Sequence, residues 1–161
     1  MDWLSLFLMQ KKLDQYIENN HDLTTEDLFQ EKCLALLVEL GELANETRCF
    51  KFWSRKPSSP KEKILEEYVD GIHFIMSLGL EKGLEYKATS ITNIKQNVTE
   101  QFSIVFESCL TFKNNPIQKT YESLFNAYLQ LGRLLEISEE ELQQAYIKKN
   151  EKNYDRQNEG Y

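Results

Sequence analysis

Leu34-Ala35-Leu36-Leu37-Val38-Glu39-Leu40-Gly41-Glu42-Leu43-Ala44 is an apolar run interrupted by two acids three residues apart. Residues at that spacing share one face of a helix, so both carboxylates point the same way. Acids among aliphatic neighbours are costly to bury without a partner. A second pair, Glu67-x-x-Asp70, lies in another helix-patterned stretch with Val69, Ile72, Phe74, Ile75 and Leu78 around it. Two such helices packed together would gather four carboxylates in one partly dry place. Like charges ~5 Å apart repel by roughly 3 kcal/mol per pair at an effective dielectric of 20. A cation between them relieves that repulsion, and an acid-only ligand set points to Mg²⁺, with Mn²⁺ as the other candidate. Gly41 thins the first helix between its acids, which predicts the close approach of another element. On the second helix His73 and Ser77 continue the acidic stripe, which reads as the wall of a site.

The chain has 161 residues, enough for one domain with a real core. Only six glycines and three prolines occur, against abundant Leu, Glu, Lys and Gln, so helix is favoured over strand. The net charge of −7 argues against nonspecific binding to nucleic acid or an anionic membrane. Cys33, Cys49 and Cys109 are odd in number and lack CxxC spacing, which fits inert thiols in a reduced, cytoplasmic setting. The apolar start from Met1 to Met9 has no basic region before it and no small-residue cleavage site, so a core-packing amphipathic helix is expected rather than a signal peptide. No apolar run is long enough to span a membrane.

The expected fold is an all-α bundle of about five to six helices. Leu4, Phe7, Leu8, Leu13 and Ile17 pattern a first helix ending near Asn19-Asn20. Thr24 or Thr25 would cap a second, running to about Thr47. Arg48 to Pro60 reads as an ordered loop, basic and aromatic at once. A third helix runs from Pro60 to about Lys82, a fourth from Thr92 to Phe112 and a fifth from Pro116 to Leu135. The last two carry more aromatic and aliphatic residues than one small core needs, which predicts a subunit interface and a homodimer. Ser138-x-x-Glu141 is a capping box opening a last helix to about Asn150. Residues 1–150 are therefore read as one catalytic domain and residues 151–161 as a polar tail.

Other chemistries lack their residues. A di-iron bundle needs Glu-x-x-His on two helices, and only Asp70-x-x-His73 approaches it. Neither His21 nor His73 sits in a nucleophile motif, and no glycine-rich phosphate loop occurs.

The pattern Glu39-x-x-Glu42, 24 residues, Glu67-x-x-Asp70 resembles the all-α nucleoside triphosphate pyrophosphatases, the MazG-like superfamily. Further stretches resemble the dimeric dUTPase family in particular: Leu8-Met9-Gln10-x-x-Leu13-Asp14, Phe52-Trp53-Ser54, Asp70-x-x-His73-Phe74 and Lys149-Asn150-x-x-Asn153-x-x-Arg156-Gln157-x-x-Gly160-Tyr161. The resemblance implies a dUTP diphosphatase that also takes dUDP and yields dUMP. In it Glu39, Glu42, Glu67 and Asp70 would hold Mg²⁺, with Glu39 or Glu42 as base for the attacking water. Gln10, Trp53, His73 and Phe74 would form the uracil and deoxyribose pocket. Lys149, Asn150, Asn153, Arg156 and Tyr161 would close over the substrate, with residues 151–161 folding down as the tail. Asp14 stands where the resemblance leads one to expect an amide. Two alternatives stay open: a relative with another base preference, such as dCTP, and a non-catalytic helical protein that responds to nucleotides.

Overall fold

The computed structural model describes residues 1–87 and 96–161 and contains six helices, α1 Trp3–Asn20, α2 Phe29–Thr47, α3 Lys61–Glu81, α4 Val98–Asn114, α5 Gln118–Leu134 and α6 Glu139–Asn158. There is no strand among the described residues, so the expected all-α bundle is observed. Helix α3 is the hub, packing against α1, α2, α5 and α6, while α4 pairs with α5 and α2. Its burial follows from its composition: Tyr68, Val69, Ile72, Ile75, Met76 and Leu78 are each at most 1% exposed.

Glycine notches set the distance between α3 and α5. A Cβ added at Gly71 would lie 2.0 Å from the Tyr128 hydroxyl, one at Gly79 2.3 Å from that of Tyr121, and one at Gly132 2.3 Å from that of Tyr68. Each ring therefore lies flat across a helix backbone. Tyr68 donates to the Tyr128 carbonyl at 3.1 Å, Tyr128 donates back to the Tyr68 carbonyl at 2.9 Å, and the two rings stack at 4.7 Å. We expect Gly71→Ala to destabilise the fold by about 1–3 kcal/mol through overpacking. Urea unfolding measures this, and a loss within 0.5 kcal/mol, roughly the background for neutral surface changes, would contradict the notch.

Gly41 was expected to admit a close neighbour, and it does not. Outside its own stretch of helix, no described atom lies within 4 Å of its Cβ position. The second helix also starts later than Thr24 or Thr25 would set it. It begins at Phe29, whose N–H is capped by the Asp27 carboxylate at 3.1 Å, and the two threonines lie in the preceding turn. The expected start of the fourth helix, Thr92, lies outside the described residues; α4 opens at Val98 behind a capping box of Asn97 and Glu100. The Ser138–Glu141 box opens α6 as expected.

Helix α6 continues eight residues past the expected end at Asn150, to Asn158. Tertiary contacts hold that extension. Tyr16 packs its ring at a tilt against Tyr154, centroids 5.1 Å apart, and donates to Asn158 at 2.5 Å, and His21 bonds Gln157 at 3.0 Å. Gly160, at φ +81°, then ends the run with the left-handed residue typical of helix termini. Much of the apolar surplus on α4 and α5 is absorbed internally, with Val105, Phe112, Tyr121, Leu124, Phe125, Tyr128 and Leu131 fully buried.

Candidate active site

Helices α2 and α3 run antiparallel in register, since Lys32 reaches Glu81 at 2.6 Å while Glu39 lies beside Glu67 and Asp70. Each acid of that trio offers one oxygen, and the three oxygens fall within 4.8 Å of one another. The stripe on α3 dictates this: Glu67, His73 and Ser77 are buried, and Asp70 is half-buried on the same face. Glu42, by contrast, is exposed and outside the trio, although its charge is felt at Glu39.

Burial, then the charges of Asp70, Glu42 and Glu67, push the Glu39 carboxyl up to about 7, with Lys149 opposing. Its Oε2 is buried without a hydrogen-bond partner. Burial likewise raises Asp70, against the pull of Lys149, whose Nζ is 2.7 Å from it. Lys63 pairs with Glu67 at 2.5 Å. An all-oxygen donor set, crowded like charges and an orphaned buried carboxylate oxygen together fit a hard divalent cation.

These facts predict an unusual pH response for the ion-free protein. Between about 4.5 and 7 the folded chain keeps a proton on Glu39 that the unfolded chain has lost, so stability falls as pH rises through that window. Glu39→Gln should therefore be more stable than the native chain at pH 8 by about 1–2 kcal/mol, after discounting for partial exposure, with the gap closing near pH 4.5. His73 acts in the opposite sense. Burial and then Lys149 lower it to about 3, so its contribution is intact above 6.5 and is lost as pH falls toward 3. Urea titrations in chelator at pH 8 and pH 5 separate the two effects, and equal stabilities of variant and native chain at pH 8 would refute the Glu39 assignment.

A cavity of about 280 Å³ opens from Glu39 and Asp70 past Phe74 and His73 to Gln10 and Asp14. Leu13, Ile17, Leu23 and Leu28 supply apolar lining. The polar wall is a hydrogen-bonded network. Gln10 Oε1 accepts from the Tyr146 hydroxyl and from His73 Nδ1, both at 2.6 Å, and Gln10 Nε2 donates to Asp14 at 2.7 Å. Since a carbonyl oxygen only accepts, Nδ1 carries the His73 proton and Nε2, buried and unpartnered, is left as an acceptor. Tyr146 stacks on the His73 ring at 4.2 Å. Burial raises the Asp14 carboxyl, opposed by hydrogen bonds from Ser77 and Gln10.

Among the residues anticipated from sequence, the structure brings Gln10, Glu39, Asp70, His73, Phe74, Lys149, Asn153 and Arg156 to this cavity. Glu67 adjoins it through the trio. Asn150 is buried with Nδ2 unpartnered and is not in the wall. Trp53 is 65% exposed on the loop, edge-on to Phe50 and Phe52 and away from the cavity. Tyr161 is exposed and lies over the Arg156 guanidinium at 5.4 Å. Sequence reasoning did not single out Tyr146, Lys32, Lys63 or Glu66. Only the position of Glu66 beside Glu67 hinted at any of them.

A helical bundle that sets a carboxylate trio against a cavity with basic groups on one side has the architecture of a phosphoanhydride hydrolase. The family described as dUTPase matches residues 2–161, and the chain belongs to that family, in its all-α form. No curated protein matches the chain. Family membership makes it a dUTP diphosphatase, a hydrolase acting on the phosphoric anhydride bonds of a nucleotide. Among the described residues no helix is long and apolar enough to cross a membrane.

Proposed function

We propose that the chain hydrolyses dUTP, and dUDP, to dUMP at the Glu39–Glu67–Asp70 centre with Mg²⁺ as cofactor and Mn²⁺ as a substitute. The observation that carries this reading is the convergence of three carboxylate oxygens within 4.8 Å, two of the acids lining the cavity. Glu39, Glu67 and Asp70 would hold the cation, with Glu42 joining at the exposed edge. When bound, it supplies positive charge to the polyphosphate and acidifies a water.

The chain's own groups do the rest. Glu39, with a carboxylate oxygen left without a hydrogen-bond partner, would take the proton of the attacking water, and Glu42 would assist from outside. Phe74 offers an aromatic face to the base, and the free His73 Nε2 accepts from the uracil N3–H. The second amide hydrogen of Gln10 remains for a base carbonyl. Lys149, Asn153 and Arg156 approach from α6 with Asn150 buried behind them, and Arg156 and Lys149 would counter phosphate charge while Tyr161 covers Arg156. Residues 151–161 thus cover the substrate as the end of α6 and its cap. Trp53 reaches the base when its loop is carried inward or is delivered by a second subunit.

The homodimer would use α2 and α4, which pack together and leave Leu34 63%, Val38 49% and Leu110 47% exposed. Sedimentation should report twice the 19.0 kDa chain mass. Three free thiols suit a reducing cytoplasm. A panel of dUTP, dUDP, dCTP and dTTP, with Mg²⁺ or with chelator, tests the assignment. Uracil nucleotides should be strongly preferred and chelator should abolish turnover; equal rates on dCTP and dUTP, or full activity in chelator, would overturn it.

A further inference from the structure

Two lysines stand where a divalent cation would contest their partners. Lys63 Nζ lies 2.5 Å from Glu67 and 3.4 Å from Glu66. Lys149 Nζ lies 2.7 Å from Asp70 and 3.5 Å from Glu66. Lys152 adds a third ammonium at 3.4 Å from Glu66. Each of the first two thus has a short pair with a trio acid and a longer one with a shared carboxylate, Glu66. Glu66 is outside the trio and partly exposed, on the side of α3 that meets α6 across a groove.

We infer that Glu66 is a positioning residue that retains Lys63 and Lys149 when their short ion pairs with Glu67 and Asp70 yield to a divalent cation. The inference rests on the reading of the trio as a cation site. A doubly charged ion entering between Glu39, Glu67 and Asp70 must break or lengthen both short pairs. Two ammonium groups released beside that ion would repel it. Glu66 supplies a counter-charge already within about a hydrogen-bond length of each, so both lysines change partner through a small side-chain rotation. Held there, Lys149 stays beside the polyphosphate rather than blocking a ligand oxygen. Without Glu66 the lysines have only the trio acids to pair with, and they compete with the cation.

Manganese binding to nucleotide-free protein, followed by electron paramagnetic resonance, tests this without any activity readout. Glu66→Gln should weaken Mn²⁺ binding about fivefold, and Lys63→Met, at a half-exposed position, should strengthen it by about the same factor, the scale of a single partly exposed ion pair. Introduced into Lys63→Met, Glu66→Gln should cost only about twofold, because one of the lysines it restrains is gone. Glu66→Asp should restore most of the native affinity. Equal fold losses in both backgrounds would mean that Glu66 acts only as a distant charge, and the inference would be overturned; so would unchanged binding in Glu66→Gln. Glu67→Gln serves as the control. If native protein and Glu67→Gln bind Mn²⁺ alike, the trio is not the cation site, and that result overturns the underlying reading and this inference with it.

Discussion

Glu67→Gln should lower dUTP turnover about a thousandfold at saturating Mg²⁺ while leaving the helical circular dichroism unchanged. The reasoning is electrostatic. Replacing the carboxylate removes one unit charge at about 4 Å from a divalent cation in the trio, a gross interaction of about 8 kcal/mol at an effective dielectric of 20, of which about half, or about 4 kcal/mol, is left after water and the remaining acids compensate. Lost from the transition state, that amount corresponds to about three powers of ten in rate. The amide has nearly the same shape, and Lys63, its partner at 2.5 Å, is half-exposed and keeps Glu66 as an alternative. The fold therefore has little reason to change. Steady-state kinetics across a Mg²⁺ series gives the answer, and a variant within tenfold of the native rate would place the chemistry elsewhere.

Gln10→Leu should destabilise the protein by about 2–5 kcal/mol and also impair dUTP binding. One buried carbonyl oxygen, in a residue only 3% exposed, satisfies two buried donors, the Tyr146 hydroxyl and His73 Nδ1. Each orphaned donor costs about 1–3 kcal/mol. Asp14 loses a donor as well, leaving Ser77 to restrain a carboxyl that burial already raises. Because α1, α3 and α6 meet in this network, its loss should loosen the wall that faces the base. Thermal unfolding and the KM for dUTP are the two readouts. A variant of native stability would show that His73 and Tyr146 find other partners.

How far the sequence reached can be judged residue by residue. The stripe Glu67, Asp70, His73 and Ser77 was readable because helical spacing alone puts those positions on one side, whatever packs there. Glu39 was readable because an acid amid aliphatic neighbours implies a special environment. The Ser138–Glu141 box was readable because both partners lie within one turn. Glu42 met the same spacing rule, yet its carboxylate lies outside the trio. Spacing along one helix does not say which member of a pair meets the neighbouring helix; packing of α2 on α3 leaves Glu39 in the trio and Glu42 exposed.

The extension of α6 past Asn150 could not be read, since Glu151 to Asn158 is polar and shows no apolar period. Its order comes from Tyr16, His21 and the far end of α1. Gly41 drew attention through its neighbours in sequence, whereas the notches that matter, Gly71, Gly79 and Gly132, are defined by tyrosines dozens of residues away. Periodicity, composition and motif order by themselves determined the helical class, the acidic helices and the family resemblance, because those properties are local to a turn or two of chain. Which acids converge, which lysines hold them in the absence of an ion, and how Gln10 ties His73 to Tyr146 were decided only when α1, α2, α3 and α6 packed. Contacts of that kind join side chains from separate helices, and their distances follow from the volumes packed between them.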